Sequence, residues 1–220
     1  DKFYMMPAAK SMHHAYLHGL LEHSLSVASL ARLAAGHYPS INGDLLLAGA
    51  ILHDLGKVWE FSPPPKVDYT TIGRLKGHLV MGAEFLKSLA AAMPGFPQAK
   101  IDLLEHLILS HHGEPEYGAP IRPQLIEAVI LHHLDNVDAK VEAIGSFLES
   151  ESDEEGWSGY HRLMGTHFMR TPAPDSCASA APAPPEPDKP LAGVDDSPED
   201  PSEPSSEQEP DSPPAEGPLF

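Results

Sequence analysis

Apolar residues recur every three or four positions along the first two thirds of the chain, and this spacing predicts amphipathic helices. Five segments show it: residues 14–36, 45–55, 75–93, 98–111 and 123–150. Gly36 and Gly56 predict the ends of the first two helices, and Asp44 is positioned to cap the second. Because no alternating pattern typical of strands is found, we predict an all-α bundle of five or six helices.

The composition changes sharply near residue 170. Residues 171–220 contain 14 of the 24 prolines, 12 acidic residues and one basic residue, Lys189. Such a segment buries too little apolar surface to offset the entropy cost of ordering its chain. We therefore predict a helical domain over residues 1–170, followed by a disordered, acidic, Pro-rich tail over residues 171–220.

The charge and the cysteine content exclude some classes of protein. The net charge is −18, from 14 Lys+Arg and 32 Asp+Glu, which argues against binding nucleic acid or an anionic membrane by charge alone. The longest apolar run, Leu45 to Leu52, is too short to span a bilayer. The single cysteine, Cys177, cannot form an internal disulfide, so we expect a cytoplasmic protein. Since the chain starts at Asp1 and not at Met, we expect a fragment or a processed form.

All 14 histidines lie within residues 1–170. The central motif is His53-Asp54-Leu55-Gly56-Lys57, at the end of an apolar predicted helix, where a charged Asp is costly without a cation. Further candidate ligands lie on the other predicted helices: His23, His78, His111, His112 and Asp135. Imidazole and carboxylate donors without thiolate suit Mn, Fe, Zn or Mg-like ions and not a structural zinc finger.

Five histidines and two aspartates can hold two metal ions that share a carboxylate. Two ions a few ångströms apart are typical of phosphoester hydrolysis, in which one lowers the pKa of a bridging water and both stabilise the phosphoryl charge. For any one of these residues alone, an ordinary core or surface role is the simpler interpretation. The ordered set as a whole indicates the metal site.

The order of these residues resembles that of the HD-domain metal phosphohydrolases with a two-metal site. More narrowly, the YhaM-type 3′–5′ exoribonucleases have segments similar to residues 7–28, 49–57, 77–84, 107–120 and 131–140. The resemblance covers roughly residues 1–165 and does not include the acidic tail. That family usually carries an OB-fold nucleic-acid-binding domain before the HD domain, which agrees with the expectation of a fragment.

The resemblance implies a role for each candidate residue. One ion would be held by His23, His53, Asp54 and Asp135. The second would be held by the bridging Asp54 with His78, His111 and His112. The ions would be two divalent cations, with Mn²⁺ as the first choice and Fe, Mg, Zn or Co as alternatives. Asp54 and Lys57 would be catalytic, with Lys57 presenting its cation to a substrate phosphate; a plain surface lysine is the alternative.

Other residues near these motifs are weaker candidates, for which packing or solvent exposure is at least as good an account. His132 or His133 would support a ligand residue. Contacts to the substrate would come from His13, His14, His18, Arg74 and Lys76, and base stacking from Trp59, Phe61 and Tyr69.

Three functions fit this sequence. The first is a metal-dependent 3′–5′ exoribonuclease whose substrate is RNA, with single-stranded DNA as a further substrate. No binding to a membrane is expected. The second is a phosphohydrolase of small or cyclic nucleotides, although no GYP signature for cyclic dinucleotides follows the HD motif. The third is a non-catalytic module that binds a nucleotide or a protein, which is disfavoured because no predicted ligand is missing. Oligomerisation and a partner for the tail remain open.

Overall fold

A computed structural model describes residues 2–9, 16–63, 65–151 and 156–171. Its helices are α1 (Lys2–Met5), α2 (Gly19–His37), α3 (Gly43–Leu52), α4 (Lys57–Glu60), α5 (Thr71–Ala91), α6 (Gln98–Ser110) and α7 (Ile126–Ser150). A 3₁₀ turn, Pro115–Tyr117, precedes α7, and an antiparallel hairpin of β1 (Trp157–His161) and β2 (Thr166–Met169) follows it. The predicted helical class is confirmed. The predicted tail, residues 171–220, lies outside the described residues apart from Thr171.

The hairpin corrects the expectation that the chain has no strands. Its strands are five and four residues long, and in β1 only Ser158 is buried. Such short and largely exposed strands have no apolar alternation to reveal them. A second correction concerns the start of α3, where Asn42 and not Asp44 is the cap. The Asn42 side chain accepts a hydrogen bond of 3.1 Å from the Leu45 N–H.

The main core lies where α2, α3, α6 and α7 meet. Its buried members include Val27, Leu46, Leu107 and Leu131, all fully enclosed. A second cluster packs α5 on α6 through Leu86 and Ile108, among others. Burial of these aliphatic side chains, at roughly 1.5–3 kcal/mol each, fixes the ends of the helices relative to one another. Within the described ranges, no helix has the length and apolar character needed to cross a bilayer.

Two glycines shape the region where the helix ends converge. A Cβ on Gly56 would lie 2.0 Å from the His78 carbonyl oxygen, so only glycine allows the turn before α4 to approach α5 this closely. Gly77 has a φ of 72°, in the left-handed region that favours glycine, and it breaks the helical geometry of α5. The break leaves the His78 N–H available, and it donates a hydrogen bond of 3.1 Å to Glu60 Oε1.

Candidate metal centre

Seven titratable side chains from five helical regions meet in one cluster. They are His23 on α2, His53 and Asp54 after α3, His78 on α5, His111 and His112 after α6, and Asp135 on α7. These are the seven ligands predicted from the sequence, and the structure brings all of them together. Four of them, His23, His53, Asp54 and His111, are at most 1% exposed.

The first group of donor atoms consists of His23, His53 and Asp135. His23 Nε2 lies 3.2 Å from His53 Nε2 and 3.1 Å from Asp135 Oδ1. His53 Nε2 is 3.8 Å from the same Asp135 oxygen. We call these three residues the first group. Their spacing leaves each donor atom within reach of one common cation.

The second group consists of His78, His111 and His112. His78 Nε2 and His112 Nε2 are 3.2 Å apart, and one donor atom from each of the three residues lies within 4.8 Å of the others. This group also has the size of a site for a single ion.

Asp54 lies between the two groups and presents a different oxygen to each. Its Oδ2 is 3.4 Å from His23 Nε2 and 3.5 Å from His53 Nε2. Its Oδ1 is 3.5 Å from His78 Nε2 and 3.6 Å from His111 Nε2. A carboxylate in this position can be shared by two cations.

Each of the five histidines of the cluster is oriented by a hydrogen bond at Nδ1, the ring nitrogen that faces away from the other cluster residues. The acceptors of the Nδ1–H groups are Asp138 Oδ2 for His23 at 2.7 Å, Ala50 O for His53 at 2.9 Å, Glu60 Oε1 for His78 at 3.2 Å, Ile108 O for His111 at 2.8 Å and Tyr117 O for His112 at 2.9 Å. Carbonyl and carboxylate oxygens only accept, so the proton is on Nδ1 and Nε2 points into the cluster. This is the arrangement found around histidines that ligate metals.

Three features of the second group fit a cation. Asp54 Oδ1 and His111 Nε2 are buried without a hydrogen-bond partner among the described residues, and a buried polar atom left unpaired costs about 1–3 kcal/mol. His78 and His112 also point their Nε2 lone pairs at each other across 3.2 Å when both rings are neutral. A bound cation would satisfy all four atoms at once.

The protonation states differ between the two groups. Burial lowers the pKa of His111 to about 3 and also lowers the pKa of His112, so both rings are neutral near pH 7. Burial also acts to lower the pKa of His23, but hydrogen bonds to Asp135 and Asp138 outweigh it and raise that pKa to about 9. The metal-free first group therefore carries a proton that a metal must displace.

Both carboxylates of the cluster are ionised. Burial acts to raise the pKa of Asp54, but the charge of Lys57 and contacts with His53 and His111 hold it well below its usual range. For Asp135, the hydrogen bond from His23 outweighs burial and lowers the pKa. The cluster can therefore offer two negative charges to cations.

Lys57 does not have the position of a surface lysine. Its side chain is 12% exposed, and its ammonium donates a hydrogen bond of 2.6 Å to Asp54 Oδ2. Burial acts to lower its pKa, but the charge of Asp54 raises it above the usual value, so the ammonium stays charged. The contact with a substrate phosphate stays a prediction.

Sequence reasoning missed two carboxylates that orient candidate ligands. Asp138 binds His23 Nδ1 and also accepts a hydrogen bond from the Ser26 hydroxyl. Glu60, which is 7% exposed, binds both the backbone and the ring of His78. The sequence contained one signal for Asp138. It follows Asp135 by three residues and therefore lies on the same face of the helix. His132 also contacts a ligand residue, since its Nδ1–H donates to the His111 carbonyl at 2.8 Å.

Most of the residues that the sequence suggested for contacts to the substrate are in contact with other residues of the protein. Arg74 pairs with Asp68 at 3.3 Å and lies over Tyr69, while Lys76 pairs with Glu84 at 2.7 Å. The remaining contacts are Trp59 with Phe85, Phe61 with Tyr69, and His18 Nδ1 with the Tyr4 carbonyl. His13 and His14 lie outside the described residues.

Known proteins are similar to this chain over the segment that contains the cluster. The family model for the HD domain matches residues 20–140, a range that contains all seven cluster residues. The 3′–5′ exoribonuclease YhaM of Geobacillus sp. (strain WCH70) is 47% identical over 171 residues, which cover 77% of this chain and 52% of that protein. The YhaM proteins of Bacillus licheniformis and Bacillus subtilis (strain 168) are each 46% identical over 149 residues, which cover 67% of this chain and 47% of each relative.

The chain thus spans about half the length of the curated relatives it matches. Among solved structures, the HD domain of the L. monocytogenes phosphodiesterase PgpH matches with 23% identity and a TM-score of 0.38. That match covers 61% of this chain and 70% of the other, and it is too weak to inform the site.

Proposed function

Because this chain belongs to the HD-domain family, we propose that it is a metal-dependent phosphohydrolase that removes nucleotides from the 3′ end of RNA. The observation that carries the proposal is the position of Asp54, whose two oxygens face two separate groups of three donors. The substrate class rests on the relatives named as 3′–5′ exoribonucleases. Single-stranded DNA, which has the same phosphodiester link, is proposed as a further substrate.

We assign one divalent cation to the first group and another to the second, with Asp54 shared between them. Mn²⁺ is the first choice, and Fe, Mg, Zn or Co are alternatives, because carboxylate oxygens suit Mn and Mg whereas imidazole nitrogens suit Fe and Zn. Such cations supply Lewis acidity to a phosphodiester and a nucleophile at neutral pH. The five Nδ1–H hydrogen bonds hold the rings in place, so that little reorganisation accompanies binding.

Lys57 has two roles in this proposal. It neutralises Asp54 at 2.6 Å when no cation is bound. When cations bind and compensate Asp54, the ammonium is free to donate a charge-assisted hydrogen bond to a phosphate oxygen. Asp138 and Glu60 are positioning residues, because each acts through the histidine that it orients.

The test is the pattern of products from a 5′-labelled RNA incubated with the full chain and Mn²⁺. We expect successive shortening from the 3′ end, no cleavage of a circular RNA and no reaction with EDTA. Asp54→Asn should abolish the reaction, whereas Asp44→Asn, a change at an exposed residue of α3, should leave it unchanged. Hydrolysis of a mononucleotide or a cyclic nucleotide with the RNA left intact would favour the small-nucleotide function instead. Shortening of the RNA in EDTA would refute the role of the cluster.

A further inference from the structure

We propose that a surface path from the metal centre, along α7 and across the β1–β2 hairpin, binds the single-stranded RNA that precedes its 3′ end. We call this path the α7–hairpin track. The proposal rests on the proposed function, since it places the 3′ end at the cluster. The track extends past residue 140, where the match to the HD-domain family model ends.

The track begins in a cleft of about 630 Å³ beside the cluster. His112 of the second group and Asp135 of the first group both line this cleft. Asn136 and Lys140 of α7 and Leu163 of the hairpin loop also line it. A chain whose last phosphodiester lies at the cluster would therefore leave the centre through this cleft.

A second cleft of about 540 Å³ continues in the same direction. It shares Ala143 and Leu163 with the first, and its other walls include Phe147, Tyr160 and Arg162. Asp135 and Phe147 are twelve residues apart on α7, which corresponds to about 18 Å at 1.5 Å per residue. The two clefts together form a path long enough for several linked nucleotides and too long for one.

The track carries two exposed cations that have no partner among the described residues. Lys140 and Arg162 are exposed and form no ion pair or hydrogen bond with another described residue. Four other surface cations are each paired with a carboxylate, namely Arg74, Lys76, Lys87 and Arg122. Four more are exposed and likewise unpaired among the described residues, but they lie outside the two clefts: Lys2, Arg32, Lys66 and Lys100. In a chain with a net charge of −18, two free cations in clefts that lead from the metal centre mark a route for phosphates.

The track also offers an aromatic surface for bases. Tyr160 is 56% exposed on β1 and lines the second cleft beside Arg162. Exposed aromatic rings next to cations are the usual means of binding single-stranded nucleic acid without sequence preference. This combination favours RNA over a peptide, which would need a hydrogen-bonding edge or a matched charge pattern.

The hairpin is attached firmly enough to serve as a wall. The Gly159 N–H donates to Glu151 Oε2 at 2.5 Å, and the Arg170 guanidinium donates to the backbone carbonyls of Leu148 and Glu151. The Phe147 ring meets the His161 ring edge-on at 4.6 Å. These contacts fix the position of Tyr160 and Arg162 relative to α7.

The experiment measures binding of a 5′-fluorescein-labelled oligoadenylate of about ten nucleotides, a length typical of single-strand sites, by fluorescence anisotropy. The full chain is used with EDTA, so that binding is read without hydrolysis, and the salt concentration is varied. Arg162→Ala and Lys140→Ala should each reduce the slope of log K against log salt by about 0.7, the value for one lost phosphate contact on a single strand. Arg32→Ala, a change at an exposed arginine on α2, should leave both the affinity and the slope unchanged.

Variants of Tyr160 test the contribution of base stacking separately from that of charge. Tyr160→Ala should weaken binding about tenfold with little change in the salt slope, because the lost contact is stacking and not charge. Tyr160→Phe retains the ring and should bind like the wild type. Thermal melting of each variant controls for loss of the hairpin.

The proposal is overturned if Arg162→Ala and Tyr160→Ala both bind like the wild type, if Arg32→Ala weakens binding as much as Arg162→Ala, or if the wild type shows no saturable binding at low salt. Its failure differs from failure of the proposed function. A chain that hydrolyses RNA while these variants bind normally refutes only the track. A chain that shows the expected binding pattern but never hydrolyses RNA refutes only the activity.

Discussion

The Lys57 ammonium donates a hydrogen bond of 2.6 Å to Oδ2 of Asp54, the same oxygen that faces His23 and His53. Asp54 is 1% exposed, so its charge has little compensation from water. A buried carboxylate that loses its cationic partner is strongly destabilising, by about 3–5 kcal/mol. The contact therefore links the stability of the metal-free protein to the chemistry of the site.

Replacing Lys57 should affect the metal-free protein more than the metal-loaded protein. Lys57→Ala should lower the free energy of unfolding by about 3 kcal/mol in EDTA, and by clearly less with Mn²⁺, because the cation then compensates Asp54. Urea denaturation under both conditions measures this difference. Lys100→Ala, at an exposed lysine, is the matched control and should have little effect. Equal losses with and without Mn²⁺ would mean that Lys57 stabilises the fold independently of the cluster.

Removing the shared carboxylate should affect both ions. Asp54→Ala should lose both bound cations because each group loses a ligand, whereas His78→Ala should retain the ion of the first group. Elemental analysis of the purified variants measures the metal content per chain. Full occupancy in Asp54→Ala would show that the carboxylate is not shared.

The two positioning carboxylates should act on different ions. Asp138→Asn weakens the acceptor of the His23 ring, and Glu60→Gln weakens that of the His78 ring. Loss of such a partner typically costs 10–100-fold in metal affinity. Titration calorimetry with Mn²⁺ should show a loss in one binding step for Asp138→Asn and in the other step for Glu60→Gln. Each variant is the control for the other, and a loss in the same step for both would contradict the division into two groups.

Stability and metal binding should depend on pH in opposite directions. The pKa of His23 is raised from 6.5 to about 9 in the metal-free protein. Between about pH 7.5 and 9, the folded protein holds a proton that the unfolded chain has released, so the metal-free protein should lose about 1–2 kcal/mol as the pH rises. Mn²⁺ must displace this proton, so its affinity should rise over the same range.

Denaturation in EDTA at several pH values measures the first trend, and Mn²⁺ titration measures the second. His23→Gln has no such proton and should flatten the stability profile. Metal-free stability that stays constant or rises from pH 7.5 to 9 in the wild type would show that His23 is not protonated in the folded state.

The convergence of the candidate ligands could be predicted from the sequence because of where they lie along the chain. His53, Asp54, His111 and His112 follow the ends of helices whose apolar periodicity is clear, and the core brings those ends together. The assignment of particular residues to each of the two ions came from the resemblance to a known family. The partners of the ligands could not be predicted in this way. Glu60 accepts from the His78 N–H at the break in α5 at Gly77, and this contact joins residues 18 positions apart that no local pattern relates.

The hairpin was missed for a different reason. Its two strands are held together by hydrogen bonds between them, and Arg170 anchors the hairpin to the end of α7, so that no buried apolar face is needed. The side chains of Ser158 and His167 add hydrogen bonds across the two strands, and such polar residues leave no periodic pattern. The exposed face of the hairpin, with Tyr160 and Arg162, therefore could not be assigned from sequence.

The central claim, two cations that share Asp54, is tested most directly by anomalous diffraction from crystals grown with Mn²⁺. The account predicts two peaks about 3.5–4 Å apart, the usual separation in two-metal sites. One peak should lie among His23, His53 and Asp135, and the other among His78, His111 and His112, with one Asp54 oxygen directed at each. A single peak at Asp54, or no peak at the cluster, would contradict it.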